Sequence, residues 1–156
     1  MTLLPFFDWC QNTTLASFLR NSVWVAPVVD FFHLLGLAMV FGPVLIVNLR
    51  LMGLVFTGRP AAEIATALRP WWWRGLGVSF ASGVLFFIGN ALKVYGNPPF
   101  YLKMALLGVA ITWQTTIIRK LTESPEPGRV SARLAALFST VLWMVIPAAG
   151  YWIELY

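Results

Sequence analysis

The sequence is poor in charged residues, and this shortage decides the class of protein. Charged residues make up 11% of the chain and hydrophobic residues 59%, whereas an ordinary soluble domain carries about 25% charged residues. So few charges cannot cover the surface of a sizeable soluble domain or of a multi-domain enzyme. Each membrane-spanning helix needs about 20 mostly apolar residues, so four such helices with their connections account for nearly all of the 156 residues.

Cysteine and histidine each occur once, which narrows the chemistry further. A single cysteine, Cys10, excludes an internal disulfide and a cysteine-rich metal or iron–sulfur site. A single histidine, His33, excludes a haem held by two histidines of one chain. The sequence also offers no nucleophile paired with a base, no glycine-rich phosphate loop and no zinc site.

The long apolar runs predict an all-α integral membrane bundle that forms a single transmembrane domain over residues 1–156. Four transmembrane helices are expected at about residues 23–49, 72–94, 100–118 and 132–151. Residues 5–22 mix aromatic and polar side chains, which is typical of an amphipathic segment lying in the membrane interface.

The basic residues predict the orientation of this bundle. Of the 11 lysines and arginines, eight lie around the connections between the first and second spans and between the third and fourth. These eight are Arg50, Arg59, Arg69, Arg74, Arg119, Lys120, Arg129 and Arg133. By the positive-inside rule both connections are cytoplasmic, and both termini are periplasmic in a bacterial inner membrane. The net charge of +5 therefore indicates topology signals and anionic lipid head groups, not nucleic acid.

Polar residues inside the predicted spans gather in the outer half of the bundle. The candidate cofactor-binding residues are His33, Asp30, Lys103, Asn90 and Glu154, and His33 is also the candidate metal ligand. Asp30 precedes His33 by one helical turn on the same face, so its carboxylate can accept a hydrogen bond from the ring. A carboxylate behind an imidazole serves metal or haem ligation and proton transfer. The alternative is structural: a helix-start aspartate and a buried histidine bonded to a neighbouring helix.

Several cofactors are compatible with one histidine. Haem b is one, with His33 as the ligand of a five-coordinate iron, across a dimer, or together with a methionine. The candidate methionines are Met39, Met104 and Met144. A quinone bound through hydrogen bonds is the second cofactor. Copper held by His33 and methionine thioethers is the third, and the sequence favours it less.

The second predicted span contains a ladder of small residues, Gly75-x-x-x-Ser79-x-x-x-Gly83. Small residues at this spacing let two helices approach closely. The ladder indicates packing against another helix of the same chain, and a dimerisation face is the alternative.

Residues 32–42 (Phe-His-Leu-Leu-Gly-Leu-Ala-Met-Val-Phe-Gly), continuing to residues 48–53 (Asn-Leu-Arg-Leu-Met-Gly), resemble the first spans of small bacterial inner-membrane families. These families include the copper-resistance D-type membrane proteins and the HemJ-type protoporphyrinogen oxidases, and several uncharacterised four-helix families share the pattern. The segment Phe100-Tyr101-Leu102-Lys103 is similar to their aromatic-x-x-Lys motif. The resemblance implies a four-helix bundle with His33 as a haem or metal ligand and Lys103 as its helper. The HemJ-type pattern has a histidine where this chain has Tyr101, so that family's haem chemistry is not carried over.

The expected function is that of a small membrane subunit that supports electron transfer, with haem b or quinone held near His33. Its connections are short, so it would work with a larger membrane or periplasmic redox partner and would itself be non-catalytic or accessory. The rival hypotheses are a non-catalytic scaffold of a membrane complex and a copper-handling membrane protein. The expected surroundings are the lipid bilayer and, as an open alternative, a second copy of the chain.

Overall fold

The computed structural model describes residues 3–124 and 128–155, including all of their side chains except that of Glu154. Within these residues the structure is helical with short connections and has no strand, which confirms the all-α prediction. The helices are α1 (Leu4–Gln11), α2 (Thr14–Asn21), α3 (Val25–Met52), α4 (Ala61–Gly89), α5 (Ala91–Val94), α6 (Pro98–Trp113), a π-helix (Gln114–Ile118), α7 (Arg119–Glu123) and α8 (Arg129–Leu155).

Local sequence signals account for several helix ends. Thr13 begins α2 by accepting a hydrogen bond from the Ala16 amide at 3.2 Å. Asn97 does the same for the Phe100 amide at the start of α6, at 3.2 Å, and prolines follow it in the first turn. Gly53 ends α3 in the left-handed conformation, with φ of 78°, which glycine adopts without a steric penalty.

The helix boundaries differ from the predicted spans in two places. The second predicted span, 72–94, is the latter part of the longer α4, which ends at Gly89 because Asn90 leaves helical geometry with φ of −130° and ψ of 31°. The third predicted span, 100–118, runs on to Glu123, because a π-helix joins α6 to α7 without interrupting the helix. The predicted interfacial segment, 5–22, is divided between α1 and α2.

Among the described residues, three helical stretches are long and apolar enough to cross a membrane: Val25–Met52, Pro98–Glu123 and Arg129–Ile153. By the length and composition of these helices, the chain is a multi-pass membrane protein. The second predicted span is not one of the three. The apolar half of its helix, α4, contains Arg74 and several glycines and serines, which lower its mean hydropathy. The helix then ends before Asn90, so the apolar stretch is not extended further.

The long helices pack in the order α4, α3, α8 and α6, and α7 returns to contact α4. The centre of the bundle is an apolar cluster that includes Val40, Val44, Trp72 and Trp143. Helices α1, α2 and α5 cover one end, which we call the capped end; there Phe7 and Cys10 of α1 pack on Ala91 and Val94 of α5. The opposite end, where residues 53–60 join α3 to α4, is called the loop end.

The small-residue ladder of α4 lies against α3. A Cβ added at Gly75 would stand 2.8 Å from the Gly36 carbonyl oxygen, and one added at Gly36 would stand 2.6 Å from Ser79 Oγ. Gly83 continues the ladder to His33, whose Cε1 would lie 3.7 Å from an added Cβ. The predicted packing of the ladder within one chain is therefore confirmed. This contact determines which residues of α4 lie beside His33.

Candidate functional site

His33 is held by α4 through a hydrogen bond between side chains. Its Nδ1 lies 2.9 Å from the hydroxyl oxygen of Ser82. The imidazole is half-buried and meets the Phe86 ring edge-on, with 5.7 Å between the ring centroids. Ser82 itself is 4% exposed, so the hydrogen bond lies inside the contact between α3 and α4.

The surroundings of Ser82 indicate which nitrogen of His33 carries the proton. The Ser82 hydroxyl has one hydrogen, and it donates to the Val78 carbonyl oxygen at 2.7 Å, with the Ser79 carbonyl oxygen at 3.2 Å. The hydroxyl oxygen therefore accepts from the imidazole, which places a proton on Nδ1. In the neutral ring this leaves the Nε2 lone pair available to a ligand.

The structure pairs His33 with Ser82 and not with Asp30. Asp30 is exposed and acts on the imidazole only through its charge. The one-turn spacing does bring both residues to the same side of α3. However, the close approach of α4 at Gly36 puts the Ser82 hydroxyl nearer to the ring, so a side chain of another helix takes the bond that we expected from the carboxylate.

Lys103 lies across Gly150 of α8. A Cβ added at Gly150 would stand 3.1 Å from Lys103 Nζ and 3.5 Å from its Cε, so the glycine leaves room for the lysine stem. The side chain is half-buried. Within the part of the chain that the structure describes, Lys103 has neither an ion pair nor a side-chain hydrogen bond. His33 and Lys103 thus bring one acceptor and one donor to the capped half of the bundle.

One other predicted site residue, Asn90, does not join this pair. Asn90 is exposed and donates from Nδ2 to the Phe86 carbonyl oxygen at 3.3 Å, which closes the end of α4. Its prediction as a site residue assumed a continuous helix, but the backbone leaves the helix at that residue. The side chain of Glu154 lies outside the described residues. Ser82 was missing from the predicted site, although it lies on the same stripe of α4 as Ser79 and Gly83.

Histidine, cysteine, aspartate and glutamate side chains form no cluster among the residues that the structure describes. Within residues 3–124 and 128–155, with the side chain of Glu154 excepted, no three His, Cys, Asp or Glu residues come together as metal ligands. Met104 and Met144 are 46% and 51% exposed, and Met39 packs its Cβ against Gly75. His33 and Lys103 offer one imidazole lone pair and one cationic donor. A quinone and a haem with acidic side chains are two ligands that use such groups.

A second polar layer lies nearer the loop end. The fully buried Asn48 of α3 donates to Thr140 of α8 at 3.1 Å. Ser139 of α8, also fully buried, donates to the side-chain oxygen of Gln114 in the π-helix at 3.1 Å. Hydrogen bonds between helices of this kind replace contacts that lipid cannot supply. This layer therefore stabilises the contacts of α8 with α3 and with the π-helix.

Comparison with known protein families gives a match over nearly the whole chain. The model of a family of unknown function (DUF6644) matches residues 6–156, a range that includes His33, Ser82 and Lys103. No curated protein and no solved structure matches the chain. The match is consistent with an uncharacterised helical family, and the likeness to copper-resistance D-type or HemJ-type proteins stays a prediction.

Proposed function

Since the chain belongs to this family of unknown function, we propose its role from its own geometry: a small membrane subunit that binds a quinone or haem b beside His33 and supports electron transfer. The observation that carries the proposal is the hydrogen bond from His33 to Ser82, because it leaves the Nε2 lone pair for a ligand. Lys103, half-buried beside Gly150, adds a cationic donor in the same half of the bundle.

The proposed topology adds α4 to the three membrane-spanning stretches described above, which gives four transmembrane helices. Helix α4 has 29 residues, and at about 1.5 Å per residue this exceeds a hydrocarbon core of about 30 Å. The contact between α4 and α3 is also more extensive than that between any other two described helices. The basic residues of the two connections support a cytoplasmic side for these connections and a periplasmic side for both termini in a bacterial inner membrane. Helices α1 and α2 then lie in the outer interface.

The chain's own residues would hold the cofactor at defined atoms. His33 Nε2 would accept a hydrogen bond from a quinol hydroxyl, or ligate haem iron. Lys103 would donate to a quinone carbonyl or to a haem propionate, and Ser82 keeps the proton on Nδ1. The cofactor supplies the electron-carrying chemistry when it is bound. The short connections between helices leave substrate turnover to a membrane or periplasmic redox partner.

The test is cofactor retention by protein purified in mild detergent. A visible spectrum detects haem by its Soret band, solvent extraction with chromatography detects quinone, and elemental analysis detects copper. We expect the wild type to retain haem or quinone and His33→Leu to lose it. We expect helicity by circular dichroism to be unchanged, because leucine suits the bilayer better than histidine. Phe32→Leu is the matched control, since Phe32 is 49% exposed on the same turn of α3.

Two results would contradict the proposal. One is wild-type protein that carries neither haem nor quinone, which would favour the scaffold hypothesis. The other is a His33→Leu variant that retains as much cofactor as the Phe32→Leu control. Copper bound in a fixed ratio, lost with His33, would replace electron transfer by copper handling.

A further inference from the structure

A cavity of about 290 Å³ lies at the loop end of the bundle, far along α3 from His33. It is enclosed by α3, α4, the π-helix and α7. Its apolar wall includes Pro43, Val44 and Val47 of α3. The predicted site and the proposed redox role use none of these residues.

The mouth of this cavity carries two arginines that share one carboxylate. Glu123 Oε1 lies 2.9 Å from Arg119 Nε and 3.8 Å from a terminal nitrogen of Arg69. The three side chains are 47% to 55% exposed, so the mouth is open to the surroundings. Exposed ion pairs contribute little to stability. An incoming anion can therefore take guanidinium N–H groups that Glu123 does not use, since each arginine has five.

The lining of the cavity combines apolar and cationic groups. Pro43, Val44 and Val47 belong to α3, whereas Arg69 belongs to α4 and Arg119 to α7. A molecule with an apolar chain and an anionic end can therefore place the anion at the arginines and the chain against α3.

Size and charge together select the ligand. The cavity volume is close to the lower limit of about 300 Å³ for sites that hold small molecules, which suits a head group and the beginning of a chain. Basic pockets between transmembrane helices on the cytoplasmic side bind anionic lipid head groups. We propose that this cavity binds an anionic phospholipid, with its phosphate on Arg69 and Arg119 and the start of an acyl chain against Pro43, Val44 and Val47.

The test is lipid binding by the full-length protein, measured by native mass spectrometry. The probes are dioleoylphosphatidylglycerol, the zwitterionic dioleoylphosphatidylcholine, and inorganic phosphate as a competitor. We expect the wild type to prefer phosphatidylglycerol and inorganic phosphate not to displace it. The double variant Arg69→Gln/Arg119→Gln should bind phosphatidylglycerol about tenfold or more weakly, since it loses charge-assisted hydrogen bonds.

A variant with the opposite effect keeps the test independent of folding. Glu123→Gln removes the competing carboxylate and retains both arginines, so phosphatidylglycerol should bind more tightly than to the wild type. Matched controls come from the exposed pair Arg59 and Glu63, whose side chains lie 3.3 Å apart outside the cavity. Arg59→Gln/Arg129→Gln removes two positive charges, as the Arg69/Arg119 variant does, and Arg129 is exposed and does not line the cavity. Glu63→Gln removes one negative charge, as Glu123→Gln does. Both controls should leave lipid binding unchanged.

Three results would overturn the assignment. Equal weakening by the Arg69/Arg119 and the Arg59/Arg129 variants would mean that lipid responds to overall charge only. Equal binding of phosphatidylglycerol and phosphatidylcholine would remove the role of the anion. Displacement by inorganic phosphate would show a site for free phosphate in place of a lipid. Retention of haem or quinone at His33 is measured separately, so each proposal can fail without the other.

Discussion

Gly36 of α3 and Gly75 of α4 meet backbone to backbone: a Cβ added at Gly75 would lie 2.8 Å from the Gly36 carbonyl oxygen. From the other side, a Cβ at Gly36 would lie 2.7 Å from the backbone nitrogen of Ser79. His33 precedes Gly36 by one turn, and Ser82 follows Gly75 by two turns. The distance between the imidazole and the hydroxyl therefore depends on how closely the two glycines let the helices approach.

Replacing Gly75 should separate these helices. We expect Gly75→Ala to lower the free energy of unfolding by about 1–3 kcal/mol, because the added methyl group meets backbone atoms that cannot move aside independently. Thermal unfolding in detergent, followed by circular dichroism, measures the change. Gly77→Ala is the control, since a Cβ there meets nothing within 4 Å. If Gly77→Ala lowered stability as much as Gly75→Ala, the close contact between Gly36 and Gly75 would not explain the effect.

Removing the Ser82 hydroxyl should weaken cofactor binding without abolishing it. Ser82→Ala takes away the side-chain acceptor of the Nδ1 proton, so the ring loses a partner that orients it. We expect a loss on the order of 10–100-fold in cofactor affinity, as for other partners that orient a ligating histidine, and a larger loss for His33→Leu. Titration of the purified protein with haem or a soluble quinone measures both.

Ser79→Ala is the control for that measurement. The Ser79 hydroxyl lies one turn earlier on α4 and is buried without a hydrogen-bond partner. Its removal should leave cofactor affinity unchanged. If Ser79→Ala and Ser82→Ala weaken binding equally, the effect comes from helix packing and not from the orientation of His33.

The hydrogen bond from Ser139 to Gln114 should contribute measurably to stability. Ser139→Ala leaves the Gln114 side-chain oxygen without this donor, and hydrogen bonds between membrane helices contribute about 0.6 kcal/mol on average and about 1.7 at most. We expect a decrease in unfolding free energy within that range, measured by denaturation in detergent. Ser131→Ala should change nothing, because the exposed Ser131 bonds only the nearby Gly128 carbonyl oxygen.

Reporter fusions test the proposed topology. A reporter fused after Tyr156 should be active outside the cytoplasm, and reporters inserted near Arg59 or Ser124 should be active inside it. This pattern requires an even number of spans and therefore includes α4. A cytoplasmic C-terminus would leave three spans and would place His33 and the cavity on sides other than those proposed.

Composition was sufficient to predict the helical class, because so few charges and so many long apolar runs permit little else. The start of the third long helix was predicted to within two residues, since the expected span begins at residue 100 and α6 begins at Pro98. Helix ends were missed where the backbone changes its winding without a Pro or Gly signal. The π-helix after Trp113 is such a place, and it extended the third helix beyond the predicted boundary.

The candidate site was only partly predictable, because spacing along one helix does not determine which neighbouring helix comes closest. Asp30 has the right spacing from His33, yet Ser82 of α4 makes the hydrogen bond. The glycines that bring α4 near were visible in the sequence, but their partner helix was not. The arginine pair at the cavity was assigned to topology alone, since Arg69 and Arg119 become neighbours only through the contact of α7 with α4.

The π-helix at Gln114–Ile118 has a consequence for comparing this chain with its relatives. Such a turn holds more residues than an α-helical turn, so deleting one residue there would restore regular winding. The π-turn has already absorbed that residue, so the helix beyond would keep nearly the same face, and Arg119 and Glu123 would stay turned toward Arg69. A one-residue gap at this point in an aligned sequence therefore leaves the phase of the helix unchanged. The same gap within the regular part of the helix would rotate the residues beyond it by about 100°.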